Sequence, residues 1–320
     1  ADLNPHMRAN RSAHLSMNVS HLWLDSFLAL KSISLIENDR YLFEQLVEIT
    51  SSRYQSTMGN ARQQDVIRAQ LELTKLEDRL TNLRMNYDIN RQLLAEWLPE
   101  NNQFQSLPDE LPDLIDLSEL PVINIQRSIK KHPQLMISDS KIGIKQAEID
   151  LARQEYKPDW ALNVSYGYRE DAPTGLERSD FLSLGVSFDL PLFTSNRQDK
   201  SVSAAYARKE STSIDYELLE KQLTSQALKT LSEMQRLKER TALYENKLLL
   251  QMHEQVEASL NAYTNDDGDF ADVMRAYIAE LNSKIEVLEI KVRQQKVAAT
   301  MNYLLAGEQQ EYLASLGEKL

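Results

Sequence analysis

Asp266, Asp267, Asp269 and Asp272 stand together in one turn and are the residues whose type and spacing most suggest chemistry. Aspartates just ahead of a helix accept hydrogen bonds from its free N–H groups and are favoured by its dipole, so the turn reads first as a solvated cap. The histidines His6, His14, His21, His132 and His253 are scattered. His14 and His21 share a helix face two turns apart and read as surface residues, not as a metal site. No cysteine is present, which excludes disulfides, thiol catalysis and thiolate metal sites. There is no glycine-rich phosphate loop, nucleophile elbow or HExxH. The methionines fall mostly at seam-like positions, where Met packs as a flexible filler. No enzyme, cofactor or metal centre is expected.

The elements that must position that turn are of two kinds. Asp159 to Phe193 carries the β signal. Trp160, Leu162, Val164, Tyr166 and Tyr168 alternate with Ala161, Asn163, Ser165 and Gly167; after a turn-rich segment, Leu182, Leu184, Val186, Phe188 and Leu190 alternate with Ser183, Gly185, Ser187 and Asp189. Period-two alternation gives each strand one apolar face. Each run is about 9 residues, the length a tilted strand needs to cross a bilayer core. Aromatics at Trp160, Tyr166, Tyr168, Phe181, Phe188 and Phe193 lie toward the strand ends, as in a membrane barrel. One hairpin cannot span a membrane alone, because both edges would leave backbone groups unpaired in lipid.

The rest reads as helix. The chain of 320 residues has only 8 Gly and 9 Pro, leaving long stretches rich in Leu, Ala, Glu, Gln, Lys and Arg. The net charge of −12 argues against nucleic acid as a partner. No run approaches 18 apolar residues, so no transmembrane helix is expected. No signal peptide opens the chain, which reads as a processed or N-terminally incomplete product.

Taken in order, a helix from Met7 to about Ser52 is followed by a turn at Gly59-Asn60 and a second helix over 64–98. That helix carries the seam Leu73, Leu76, Leu80, Leu83, Tyr87, Asn90, Leu94, a heptad pattern. Residues 1–98 thus form a helical hairpin, 99–121 an acidic Pro-bearing linker, and 122–158 a helix leading into the strands, with a kink expected near Pro133. The strands occupy 159–193, and 194–320 forms a second helical hairpin. Between Arg197 and Thr264 neither Pro nor Gly occurs, which predicts one unbroken helix. A last helix with the seam Ile278, Leu281, Ile285, Leu288, Val292 runs to Leu305, closed by Gly307 as a C-terminal cap.

The two helical hairpins are copies. Asp65-Val66-Ile67-Arg68-Ala69 matches Asp272-Val273-Met274-Arg275-Ala276; Tyr54 and Gly59 match Tyr263 and Gly268; Leu94, Trp97 and Leu98 match Met301, Leu304 and Leu305. With these paired turns, the entry Lys157-Pro158-Asp159, the run Leu190-Pro191-Leu192-Phe193 before Arg197, and Leu304-Leu305-Ala306-Gly307, the sequence resembles the TolC-type outer-membrane efflux proteins over nearly its whole length. The fold class so implied is mainly α: long antiparallel coiled-coil helices in two internal repeats, plus a membrane β-hairpin contributing to a shared trimeric barrel.

The resemblance implies a homotrimer in the outer membrane of a Gram-negative bacterium, with a large periplasmic helical part. It would be an exit duct working with a periplasmic adaptor protein and an inner-membrane transporter. In the family each protomer gives two hairpins; this chain supplies one. Wrapped into a barrel, Trp160, Leu162, Val164, Tyr166, Leu182, Leu184, Val186 and Phe188 would meet outer-membrane lipid, and Asn163, Ser165, Ser183, Ser187 and Asp189 the lumen. The acidic turn would lie at the periplasmic tip, where three-fold symmetry makes each aspartate a ring that favours cations and helps hold a constriction shut. Asp272 is the best match to the family's tip aspartate, and Arg275 stands where a second acid is expected. Tyr263 matches a tip tyrosine, with Arg53 and Arg68 as partners from the other turn. Tyr54, Gly59 and Gly268 would dock the adaptor. The alternative is a soluble periplasmic coiled-coil structural or adaptor protein. It accounts for the seams but not for the duplicated turns or membrane-length strands, and an adaptor should carry Gly-rich lipoyl-like β segments.

Overall fold

The computed structural model describes residues 4–55, 62–99, 108, 110–112, 122–170, 173, 175, 177–265 and 267–307. The Gly59-Asn60 turn and most of 99–121 lie outside these residues. The elements are helices α1 (Asn4–Gln55), α2 (Gln63–Ala95), α3 (Val122–Lys130) and α4 (Pro133–Gln154), strands β1 (Asp159–Gly167) and β2 (Phe181–Asp189), and helices α5 (Gln198–Leu243), α6 (Leu249–Thr264) and α7 (Phe270–Leu304). The expected class, mainly helical, is what forms, with one hairpin among the described residues. The chain divides into two compact units, one of Ala1–Met7 and Pro133–Lys221, the other of Arg8–His132 and Gln222–Leu320.

In the second unit α1, α2, α6 and α7 pack around one core. Ile33, Ile36, Phe43 and Leu46 of α1 meet Ala69, Leu76 and Leu80 of α2, Tyr263 of α6, and Phe270, Val273, Met274, Leu281 and Ile285 of α7. The α2 seam lies inward as expected: Leu76, Leu80 and Leu94 are buried, and Leu73, Leu83 and Tyr87 pack against the same core. Each fully buried Leu or Phe contributes about 1.5–3 kcal/mol. The exposed pairs Arg40–Glu77 and Arg84–Glu37 between α1 and α2 contribute about 0.2–1 kcal/mol each, so the seam and not the ion pairs holds these helices. Small polar residues enter the core of α1 because their hydroxyls bond back one turn, Ser26 Oγ to the Leu22 carbonyl at 2.9 Å and Thr50 Oγ1 to that of Leu46 at 2.7 Å. One stretch of α1 is long and apolar enough to pass as a membrane span. Its Leu24, Phe27, Ile33 and Ile36 are instead buried against other helices.

Three features depart from the sequence reading. First, 123–156 is two helices. Pro133 lacks an N–H and disfavours helical backbone before it, so α3 closes with Lys131 N–H to Ser128 O at 3.0 Å and His132 N–H to Ile129 O at 2.9 Å. Second, Gly307 is not a left-handed cap. Gly175 is the positive-φ glycine among the described residues, while a Cβ on Gly307 would stand 2.4 Å from the Lys131 carbonyl oxygen. Gly307 is small because another backbone passes against it.

Third, the helix over 197–264 contains a π turn at Tyr244–Leu248. The inward residues explain it. Positions 223, 227, 230, 234, 237, 241, 244 and 248 alternate spacings of four and three, but 252, 256, 259 and 263 continue one residue late. A single π turn takes up that surplus residue while the helix continues on both sides.

The break before Pro133 buries His132 completely. The neutral ring donates Nε2–H to the Tyr303 carbonyl at 3.2 Å and stands edge-on to the Tyr303 ring, 5.0 Å between centroids. His21 is partly buried, its Nε2 3.1 Å from the Lys296 carbonyl. Burial lowers the pKa of both below the ordinary 6.5, against the opposite pull of the carbonyl bond. The unfolded chain therefore takes up protons near pH 6.5 that the folded one accepts only at lower pH, and stability is full above that value and declines as pH falls below it. Gln at position 132 can also donate to Tyr303, so His132→Gln should flatten the decline. Thermal midpoints measured from pH 8 to pH 5 check this, and equal slopes in both proteins would remove His132 from the effect.

Candidate functional site

Two places carry the sequence-derived candidates, one in each unit. In the second unit, α6 ends at Thr264 and α7 begins at Phe270, and the acidic turn joins them. Asp269 is the N-cap of α7, its carboxylate accepting Ala271 N–H at 3.2 Å. Asp267 N–H bonds the Ala262 carbonyl at 2.9 Å, which folds the turn back onto α6. Gly268 sits in that fold because a Cβ there would stand 2.8 Å from Tyr263 N and 2.9 Å from Ala262 C. Asp272 is exposed on the first turn of α7 and forms an ion pair with Arg275. The residue at the second acidic position of the expected double ring therefore neutralises the first. Asp266 and Gly59 lie outside the described residues.

The predicted Tyr263–Arg53 pairing is present, in a form the sequence does not specify. The Arg53 guanidinium lies over the Tyr263 ring, 4.5 Å from its centroid, and donates to the Tyr263 carbonyl at 3.3 Å. The end of α1 is thereby tied to the end of α6. Tyr263 is only 7% exposed, edge-on to Phe270, and its hydroxyl is buried with no hydrogen-bond partner. Tyr54, its repeat counterpart, is exposed, as is Arg68. Asp65, the counterpart of Asp272, is 6% exposed and closes the start of α2 by accepting Arg62 N–H at 3.0 Å, its second oxygen left without a partner. The repeat match was the signal for Asp65. A groove of about 590 Å³ runs along α6 and α7 from this turn, walled by Ala258, Ser259, Ala262, Ala276 and Ala279. These small residues at helical spacing were legible too, as a place where another helix can approach closely.

In the first unit β1 and β2 pair antiparallel with Leu162 opposite Val186 and Val164 opposite Leu184; Trp160 faces Phe188 and Tyr166 faces Leu182. Residues directly opposite share a face, so the apolar residues of both strands fall together. Ala161–Ser187, Asn163–Gly185 and Ser165–Ser183 make the other face. Every residue of both strands is exposed in the single chain.

No family model matches the sequence, and a search of curated proteins finds no match either. Solved structures do match. A membrane protein from Pseudomonas aeruginosa aligns with a TM-score of 0.84 at 17% identity, over 95% of this chain and 68% of its own. The Campylobacter jejuni CmeC outer membrane channel gives 0.80 at 14%, over 95% and 65%. The fold is that of a TolC-type outer-membrane channel. The outer membrane protein VceC from Vibrio cholerae agrees, at 0.78 and 15% identity over 95% of this chain and 74% of its own.

Proposed function

We propose that this chain is one subunit of a homotrimeric outer-membrane exit duct of a tripartite efflux system, conducting cargo and catalysing nothing. The observation that carries the reading is the hairpin. Two nine-residue strands, apolar on one face and exposed throughout, have outer edges that lipid would leave unpaired. Further copies must complete the sheet and close it. The helices point the same way, since Ile67 and Leu71, and farther along the same side of α2 Met85, Ile89 and Leu93, are exposed apolar residues. The partners we infer are two further copies of the chain, outer-membrane lipid, a periplasmic adaptor whose helix would lie in the α6–α7 groove, and an inner-membrane transporter. The test is the particle mass by light scattering with and without detergent. A trimer that requires detergent is expected, and a monomer or dimer in plain buffer would overturn the reading in favour of a soluble helical scaffold.

In the trimer three copies of Asp272, each facing its own Arg275, would ring the axis at the narrow end. Asp272→Ala should raise the leak conductance of the closed channel in planar bilayers, because the ring of carboxylates that helps hold the constriction shut is then removed. Conductance equal to that of the parent channel would take Asp272 out of the gate.

A further inference from the structure

Three of the five histidines, far apart in sequence, meet on the last turns of α7. From α1, His21 sets its Nε2 3.1 Å from the Lys296 carbonyl and 3.3 Å from the Thr300 hydroxyl. Two turns away on α1, His14 stands edge-on to the Tyr303 ring, 5.6 Å between centroids, and Asn10 accepts the Tyr303 hydroxyl at 3.4 Å. His132, just past α3, meets the same ring edge-on and bonds the Tyr303 carbonyl. One tyrosine ring thus touches histidines from two elements. A turn further on, the Lys131 carbonyl runs so close to Gly307 that no Cβ would fit there. The surroundings are closely packed: Ile125 and Ile129 of α3, and Met301 and Leu304 of α7, are each exposed by 2% or less.

We propose that these contacts make the C-terminal end of α7 an acid-released joint, held to α1 and α3 at neutral pH and let go when His132 and His21 take up protons. A neutral imidazole donates to a carbonyl inside a packed joint at little cost. An imidazolium donates too, but it must first give up its hydration. At His132 burial is the main influence and lowers the pKa, while the Tyr303 carbonyl pulls the other way. Its charged neighbours in sequence, Lys130 and Lys131, are exposed, and Tyr303 stays neutral because burial raises its own pKa. At His21 burial again comes first. Lys296 and Arg293 of α7 also oppose a positive ring, and Asp25 of α1, which pairs with Lys296, favours it. His14 faces the Tyr303 ring and the Asn18 amide, both uncharged. Both lowered values lie below the ordinary 6.5, so the closed joint is fully favoured above that pH and weakens as pH falls below it. Opening then rises by up to about tenfold per pH unit for each proton taken up.

Amide hydrogen exchange of the full chain, read by mass spectrometry, tests the joint. It would be run in one detergent at about pH 7.5 and about pH 5.5, a unit either side of the ordinary histidine value, with exchange times scaled for the intrinsic effect of pH. Acid is expected to cost peptides from 296–307 and 122–132 several-fold more protection than peptides from 70–90 of α2. The double variant His21→Gln, His132→Gln keeps a donor at both places and takes no proton. It should match the parent at neutral pH and lose the acid response. His21→Gln alone, at a partly buried position, should show an intermediate response, and it carries the test if the double variant folds poorly. Equal protection at both pH values overturns the joint. So does a loss spread evenly over all helices, which is global acid unfolding, and so does an acid response that persists undiminished in the variants.

Discussion

Val186→Arg should lower the membrane stability of the hairpin by about 2–4 kcal/mol, the cost of an arginine at mid-bilayer on the lipid side of a barrel. Ser187→Arg should cost far less, because a lumen accepts charge. The contrast is sharp because the two positions are adjacent in β2 and differ only in face. Val186 pairs with Leu162 and Ser187 with Ala161, so the arginine either joins an apolar face of Leu, Val, Trp and Phe or one of Ser, Ala and Asn. Urea titration of folding into vesicles measures both. Equal losses would mean that the faces are not lipid and water, and a larger loss for Ser187→Arg would mean that they are exchanged.

Phe43→Ala should destabilise the helical core by about 3–5 kcal/mol, the usual loss for removing a buried aromatic side chain and leaving its cavity. Phe43 is 1% exposed, in the cluster where α1 and α2 of the first repeat meet α6 and α7 of the second. Its ring stands 6.2 Å from that of Tyr277 on α7. The cavity cannot collapse easily, because Ile36, Leu46, Leu80 and Met274 belong to the same packed set, fixed on three long helices. The midpoint of urea unfolding followed by helical circular dichroism gives the loss. A shift worth less than about 1 kcal/mol would put Phe43 among the residues whose neighbours can fill a gap.

Much of this was legible in the residues. Strand alternation has a period of two, so the parity of Leu162, Val164, Leu184 and Val186 sufficed to put them on common faces, and the pairing of Leu162 with Val186 follows that parity. The α2 seam was readable because Leu76, Leu80 and Leu94 repeat at heptad spacing. The turns were recognisable as copies, yet their environments were not. Asp65 and Asp272 begin the same five-residue motif, but one is buried and the other pairs with Arg275 in solvent. Burial depends on which helices arrive from elsewhere in the chain, and a local motif does not encode that. The same limit hid His132 and Gly307, whose meaning lies in contacts with Tyr303 and Lys131, far away in sequence. Arg53 and Tyr263 could be proposed as partners, but not that the guanidinium would stack on the ring and leave the hydroxyl unbonded.

The π turn at Tyr244–Leu248 has a consequence for how the length of this chain can change. A residue lost from the body of α5 would turn every later side chain by about 100° about the helix axis and carry the inward residues out of the core. A residue lost from Tyr244–Leu248 would do the reverse: the surplus vanishes, the π turn relaxes to ordinary α geometry, and the inward positions on either side stay in phase. Single-residue deletions, and the insertion that restores them, have a neutral address in this helix.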